Sequence, residues 1–214
     1  MPQSKKTPNS DDKPIRRRKS PKGELRREEI LDAAMRHFAH DGYQSSSFAA
    51  IAEEVGLTLP GLLHYFPTKV DLLLAILNRR DIENTPSLTK DGEGWRHFLH
   101  GLVAVTQRNQ TIPGVVRTFA VLNAESLTRN HPAEGWFGER VELVRSAVKS
   151  VLEAGVKAGE LKPDLNCANI AAEVIAMMDG LQMLWLRNPD EFDMVAIFAD
   201  YIERLIVSIE APSA

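Results

Sequence analysis

Two short amphipathic stretches joined by Gly56-Leu57-Thr58 constrain this chain more than any other feature. Phe48, Ile51, Ala52 and Val55 recur at helical spacing behind two candidate N-caps, Ser46 and Ser47, and Gly56 halts them after about two turns. Thr58 is a natural N-cap for a second short helix, with Pro60 in its first turn, where the missing N–H costs nothing, and Pro67 at its end. A tight glycine turn between two such helices is the geometry of a helix-turn-helix. It is also common in hairpins that only pack. The flanks continue the pattern. Leu31, Ala34, Met35 and Phe38 form an apolar stripe stopped by Asp41-Gly42, while Thr68 precedes the stripe Val70, Leu73, Leu74 and Leu77.

The spacing loosens at Thr85-Pro86-Ser87, which is read as a boundary. Helical stretches are then predicted at 92–109, 113–130, 134–159, 167–187 and 192–209, separated by Pro113, His131-Pro132, Gly159 to Pro163, and Asn188-Pro189. No stretch alternates as a strand does, so the expected class is all-α. One cysteine, Cys167, rules out an intrachain disulfide framework and a cysteine-based zinc site. No uninterrupted apolar run of membrane-spanning length is visible, and the basic N-terminal stretch leads into no apolar core of a secretion signal, so a cytoplasmic protein without membrane contact is expected.

The net charge of −3 argues against a nucleic-acid partner only until it is divided along the chain. Residues 1–23 carry eight Lys/Arg against two Asp/Glu, a net of +6; residues 24–80 come to −2 and residues 81–214 to −7. The first segment has no aromatic residue and little to bury, and is read as a disordered basic arm. Such an arm is either a solubilising leader or a phosphate-seeking tail, with Arg16, Arg17 and Arg18 as its densest cluster.

The run Ile30-Leu31-Asp32-Ala33-Ala34, Phe38, Gly42-Tyr43, Ser46-Ser47-Phe48, Ile51-Ala52, Val55-Gly56-Leu57, Leu62 through Lys69, and Leu72-Leu73 resembles the N-terminal domain of TetR-family transcriptional regulators over about fifty residues. The resemblance implies an N-terminal three-helix DNA-binding head and a C-terminal helical bundle for ligand binding and dimerisation. The organisation becomes arm 1–23, head 24–70, connecting helix 71–84 and body 85–214. It further implies a homodimer on a palindromic double-stranded DNA operator, most often a repressor, released by a small-molecule effector. Carried over by position, Ser46 and Ser47 would meet phosphate, and Thr58 would cap the recognition helix. Leu59, Pro60 and Gly61 would face base edges, His64 and Tyr65 would grip the backbone, and Lys69 would contact a further phosphate. Two positions depart from the pattern: Leu63 stands where tyrosine is usual, and Leu59 where Lys or Arg is frequent. Leu59 and Pro60 offer thymine methyls an apolar surface but no bidentate reading of guanine, so the basic arm is expected to supply much of the attraction. Leu63 and Tyr65 have an alternative as packing residues. The competing class is a helical interaction module that does not read DNA sequence.

In the body, Trp95, Phe98, Leu102, Phe119, Leu122, Trp136, Val144, Met177, Met178 and Trp185 are candidates for apolar cavity walls, with Asn123, Gln182, Gln107 and Asp179 as polar anchors. The same residues suit a plain bundle core. A cavity of this composition calls for a mainly apolar effector. Ile170, Val174, Gly180, Leu181, Phe198, Tyr201, Ile202 and Leu205 lie on the last two helices, which in this family pair across the dimer as a four-helix interface. They also suit internal packing. No phosphate loop, dinucleotide fingerprint, nucleophile elbow or zinc motif occurs, and the two S-x-x-K matches lack their companion elements. His37/His40 and His97/His100 have the spacing of paired metal ligands but no partnering cluster, and Cys167 opens a helix without further signs of reactivity. The expectation is no enzyme, no cofactor and no metal.

Overall fold

A computed structural model describes residues 21–88, 94–131 and 133–212. Helix α1 (Pro21–Ser45) is followed by the two short helices α2 (Phe48–Glu54) and α3 (Leu59–Tyr65) and by α4 (Lys69–Leu88). The body comprises α5 (Gly94–Gln110), α6 (Pro113–Glu125), α7 (Glu134–Lys157), α8 (Cys167–Arg187) and α9 (Met194–Ile209). Among the described residues the architecture is all-α, apart from one isolated antiparallel bridge between Leu161 and Glu210 that ties the α7–α8 loop to the C-terminal tail.

The helix ends follow from local chemistry. Ser47 Oγ accepts from Ala50 N at 3.4 Å, Asn166 Oδ1 from Asn169 N at 3.1 Å, and Asp193 Oδ1 from Val195 N and Ala196 N. Thr68 and Asp71 form a reciprocal capping box, each side chain accepting from the other's backbone N–H at 3.0 Å. Gly42, at φ +78, breaks α1 inside its nominal span, so the regular helix ends where Asp41-Gly42 predicts. Gly56, at φ +67, makes the turn between α2 and α3.

Three boundaries differ from the sequence reading. Helix α1 already includes Pro21, the first described residue, so the last three residues assigned to the arm belong to α1. Helix α4 runs through Pro86 to Leu88, past the boundary read at Thr85-Pro86-Ser87. Helix α6 stops at Glu125 rather than at 130, and Asn130 adopts a left-handed conformation at φ +65.

Two hydrophobic clusters organise the packing. One lies in the body, around Leu99, Leu102, Val116, Val148, Leu152, Val174, Met178, Trp185, Phe198 and Ile202. The other fills the head, around Ile30, Phe38, Ile51, Leu62, Leu72 and Ile76, and extends into Val115, Phe119 and Leu122 of α6 and Phe137 of α7. Helix α1 lies along α6, so part of the body completes the core of the head.

Candidate nucleic-acid interface and the interior of the body

The turn between α2 and α3 is held from three sides. Leu57 N donates to Ala52 O at 2.8 Å, Gly56 N to Glu53 O at 3.0 Å, and the Arg26 guanidinium of α1 to Val55 O at 2.8 Å. Arg26 had no signature in the sequence beyond being a cation in a helix. Thr58 Oγ1 accepts from Gly61 N at 3.2 Å and so caps α3. Leu62 is fully buried and anchors α3 on the head core, which turns the opposite face outward. On that face Leu59 is 41% exposed and Leu63 38%, beside exposed Pro60 and His64. Leu63 therefore faces solvent and is not core. Tyr65 is half-buried against the head cluster, edge-on to His64 at 5.9 Å between centroids.

Several residues assigned to DNA sit differently from the expectation. Ser46 is buried and its hydroxyl donates to Gly42 O at 2.6 Å, securing the break after α1; of the adjacent serines only Ser47 caps α2 and stays open. Gly61 is partly exposed, and a β-carbon there would lie 3.3 Å from Thr58 Oγ1 and 3.7 Å from Leu57 Cδ2, so a larger residue would crowd the cap. Lys69 donates to Gln44 O at 3.1 Å and lies 4.8 Å from the centroid of the Tyr43 ring, and burial lowers its pKa. It fastens α4 to the end of α1. Arg16, Arg17 and Arg18 lie outside the described residues.

Ionic contacts brace the back of the reader. Arg36 donates to Glu54 Oε1 at 2.6 Å, joining α1 to α2, and His37 Nε2 lies 2.9 Å from Glu54 Oε2. His40 Nδ1 lies 2.6 Å from Asp41 Oδ1. The bond from His40 holds the Asp41 carboxyl below its usual range, and the bond from Arg36 does the same for Glu54. The histidines read as a possible ligand pair thus meet carboxylates of the head, and His100 meets Glu203 at 2.8 Å. Among the described residues no three His, Cys, Asp or Glu side chains are arranged to hold a metal. Burial pushes the Cys167 thiol up, so the start of α8 does not activate it.

The candidate cavity walls divide between the two cores. Trp95, Phe98, Leu102, Met178, Gln182 and Trp185 belong to the body core. Phe119 and Leu122 belong instead to the cluster shared with the head, where Phe119, half-buried Trp136 and Phe137 meet edge to face. Trp136 Nε1 donates to Asn78 Oδ1 at 2.8 Å, a direct link between α7 and α4. Val144 and Asn123 are only half-buried, Gln107 faces solvent, and Met177 opens onto a surface groove. The polar residue the sequence reading missed is Asn109, which is 1% exposed, beside buried Thr106. Its Nδ2 donates to Gln182 Oε1 at 3.4 Å, and Gln182 Nε2 donates to Met178 O at 3.3 Å. Asn109 Oδ1 is buried without a hydrogen-bond partner, a costly state inside an apolar core. Spacing could have found it, since Asn109 follows Leu102 by seven residues on the same stripe.

The dimer candidates also divide. Val174, Phe198 and Ile202 are at most 1% exposed, and Ile170 and Leu205 are buried with them in the protomer's own core. Gly180 and Tyr201 instead line a surface groove of about 700 Å³ with Glu173, Ala176, Met177 and Leu184, and Leu181, itself packed in the body core, borders the same groove. Tyr201 Oη is buried there without a partner. Helix α8 reaches a mean hydropathy of 1.2 over 18 residues although Glu173 and Asp179 interrupt it, and 33% of that window is buried in the protomer.

The comparisons with known proteins agree with this architecture. Residues 30–76 match the family described as "Bacterial regulatory proteins, tetR family", and residues 94–207 match "BetI-type transcriptional repressor, C-terminal". The chain belongs to the TetR family. It is a helix-turn-helix transcription regulator with a BetI-type C-terminal domain, and not an enzyme. Similar proteins include the "Fatty acid metabolism regulator protein" of Bacillus subtilis, 21% identical over 182 residues that cover 85% of this chain and 94% of the relative. The "HTH-type transcriptional repressor AcnR" of Corynebacterium diphtheriae is 24% identical, over 73% of this chain and 78% of its own. A solved TetR regulator from Haloarcula marismortui superposes with a TM-score of 0.74 at 20% identity, covering 87% of this chain and 99% of that one. Proteins of this family bind DNA operators and small-molecule effectors.

Proposed function

We propose that this TetR-family regulator is a cytoplasmic, homodimeric repressor that binds a palindromic operator through α3 and leaves it when a mainly apolar small molecule enters the body. The observation that carries the reading is the continuity of the head core into α6 and α7. Phe119, Leu122 and Phe137 pack with Phe38 and Ile76 in one cluster, so a displacement of α6 is transmitted to the reader without a slack joint. The orphaned Asn109 Oδ1, in a buried residue bonded to Gln182, supports an effector that brings one hydrogen-bond donor on a hydrocarbon body. A relative named for control of fatty acid metabolism supports the hydrocarbon part.

The second copy covers the α8–α9 groove. Small residues Ala176 and Gly180 allow close approach, Met177 and Leu184 supply apolar area, and the family's last two helices pair in this way. This accounts for an α8 that is apolar on a face its own protomer leaves open. With each head on one half-site, the two copies of α3 lie about 34–36 Å apart when bound, one turn of B-DNA.

The test is a gel shift on duplex DNA flanking the protein's own gene, with sedimentation in parallel. A sequence-selective shift by a dimer, abolished by Gly180→Arg together with dimerisation, is the expected result. A monomer that shifts DNA, or a dimer that binds all sequences alike, overturns the reading. Native mass spectrometry for co-purifying molecules, with Asn109→Leu as the control that loses them, addresses the effector.

A further inference from the structure

We infer that the half-site is read through the 5-methyl groups of its pyrimidines, by a hydrocarbon surface made of Leu59, Pro60 and Leu63. This deepens, and rests on, the reading of α3 as the DNA-contacting helix. The side chains of Leu59 and Leu63 are one helical turn apart and stand on the same face, with exposed Pro60 flanking them. All three are exposed although the head has a full core beneath them, anchored by Leu62 at 0%. Exposed leucine on a short helix has a solvation cost, and burial in a groove removes it.

The chemistry of the remaining residues sharpens the assignment. None of the seven residues of α3 is Arg, Lys, Asn, Gln, Asp or Glu, so no side chain there can form the bidentate pairs that identify guanine or adenine. The Thr58 oxygen already accepts from Gly61 N, and Lys69, the nearest lysine in sequence, is fastened to Gln44 O. In the major groove the one apolar base feature is the methyl at C5 of thymine, which a pair of leucines and a proline ring can cover. The protein therefore discriminates thymine from cytosine by the methyl and not by the exocyclic group. A 5-methylcytosine at the same position is accepted where cytosine is refused.

The experiment selects binding duplexes from a pool randomised across the site, using the full-length protein. The enriched duplex is then synthesised with single thymines replaced by uracil, which removes only the methyl, and in matched cytosine and 5-methylcytosine forms. Expected is enrichment of thymine steps in each half, about fourfold weaker binding for each contacted methyl removed, and recovery of most of that loss by 5-methylcytosine relative to cytosine. In Leu59→Ala and Leu63→Ala, both of which change only exposed side chains, the thymine-to-uracil ratio falls toward one; a purely structural role would lower affinity for both duplexes equally. Enriched sites that bind uracil and thymine forms alike, or that depend on guanine, overturn the inference and leave the DNA-binding reading standing. Absence of any enrichment overturns both.

Discussion

Thr58 is where the fold of the reader and its use can be separated by substitution. Its hydroxyl oxygen accepts from Gly61 N at 3.2 Å on an exposed helix of two turns, and Leu62 N bonds to its carbonyl at 3.0 Å. Removing such a cap costs about 1 kcal/mol, within a range of 0.5–2. In a domain of this size that lowers the melting temperature by about 2–4 °C, and it raises the frayed-to-folded ratio of α3 about fivefold. Thr58→Ala should therefore show a modest melting shift and faster amide exchange at Leu62 and Phe66, whose N–H groups report the two turns of α3. Thr58→Ser should restore both. Thr58→Asp is the decisive variant: a carboxylate caps as well as a hydroxyl, so melting and exchange should match the parent, yet a new negative charge faces the phosphate backbone. Like charges opposed across an interface cost several kcal/mol, so operator binding should fall about tenfold or more. Fluorescence anisotropy on a duplex shown to bind gives the affinity, and calorimetry the stability. If Thr58→Asp melts as low as Thr58→Ala, the 3.2 Å contact is not a working cap. If it melts normally and binds normally, this end of α3 does not face phosphate.

Deleting residues 1–20 should weaken binding and flatten the slope of log K against log salt, because it removes seven cations, Lys5 to Lys19; an unchanged slope removes the arm from the interface. Gly155→Ala should destabilise by up to about 2 kcal/mol, since overpacking of about 1–3 kcal/mol outweighs a propensity gain of about 1: the new β-carbon would lie 2.7 Å from Trp95 Cδ1 and 2.9 Å from Leu161 Cδ1. Gly138→Ala on the same helix, with nothing within 4 Å, should stabilise instead, and denaturant melts of the pair test the packing directly. Acid should loosen the α1–α2 brace: Asp41 and Glu54 have lowered folded values, so their contribution is complete above the usual carboxylate range and is lost as pH falls through those values. Hydrogen exchange over residues 30–56 follows it, and equal protection across that range sinks the idea. Trp136→Phe keeps the ring in its aromatic cluster but deletes the bond to Asn78, for a loss of up to about 1 kcal/mol that Asn78→Ala should reproduce; a loss in only one variant separates the ring from the bond.

The helices were legible because caps and spacing are local. Gly42, Gly56, Thr58 and Thr68 act at the positions their neighbours predict. What local chemistry does not carry is direction. Ser46 and Ser47 are equivalent as letters, yet one secures a carbonyl inside the head and the other caps α2. Helices α8 and α9 are apolar on several faces, so sequence pattern could not separate Phe198 and Ile202, which turn inward, from Gly180 and Tyr201, which line the groove. The aromatic residues of α6 and α7 were grouped with those of α5 because pattern assigns residues to helices and not to one of two cores. Asn109 was passed over for Gln107, although two residues along a helix change the face completely.

The shared core also bears on how such a chain can be taken apart and recombined. A fragment cut after α4 would carry Phe38, Leu73 and Ile76 with the side that meets Val115, Phe119 and Phe137 laid bare, and would self-associate through it. Grafting this head onto another regulator's body would fail in the same place unless the new α6 brought matching side chains. The exchangeable unit is discontinuous in sequence: the first four helices together with one face of α6 and the first turn of α7.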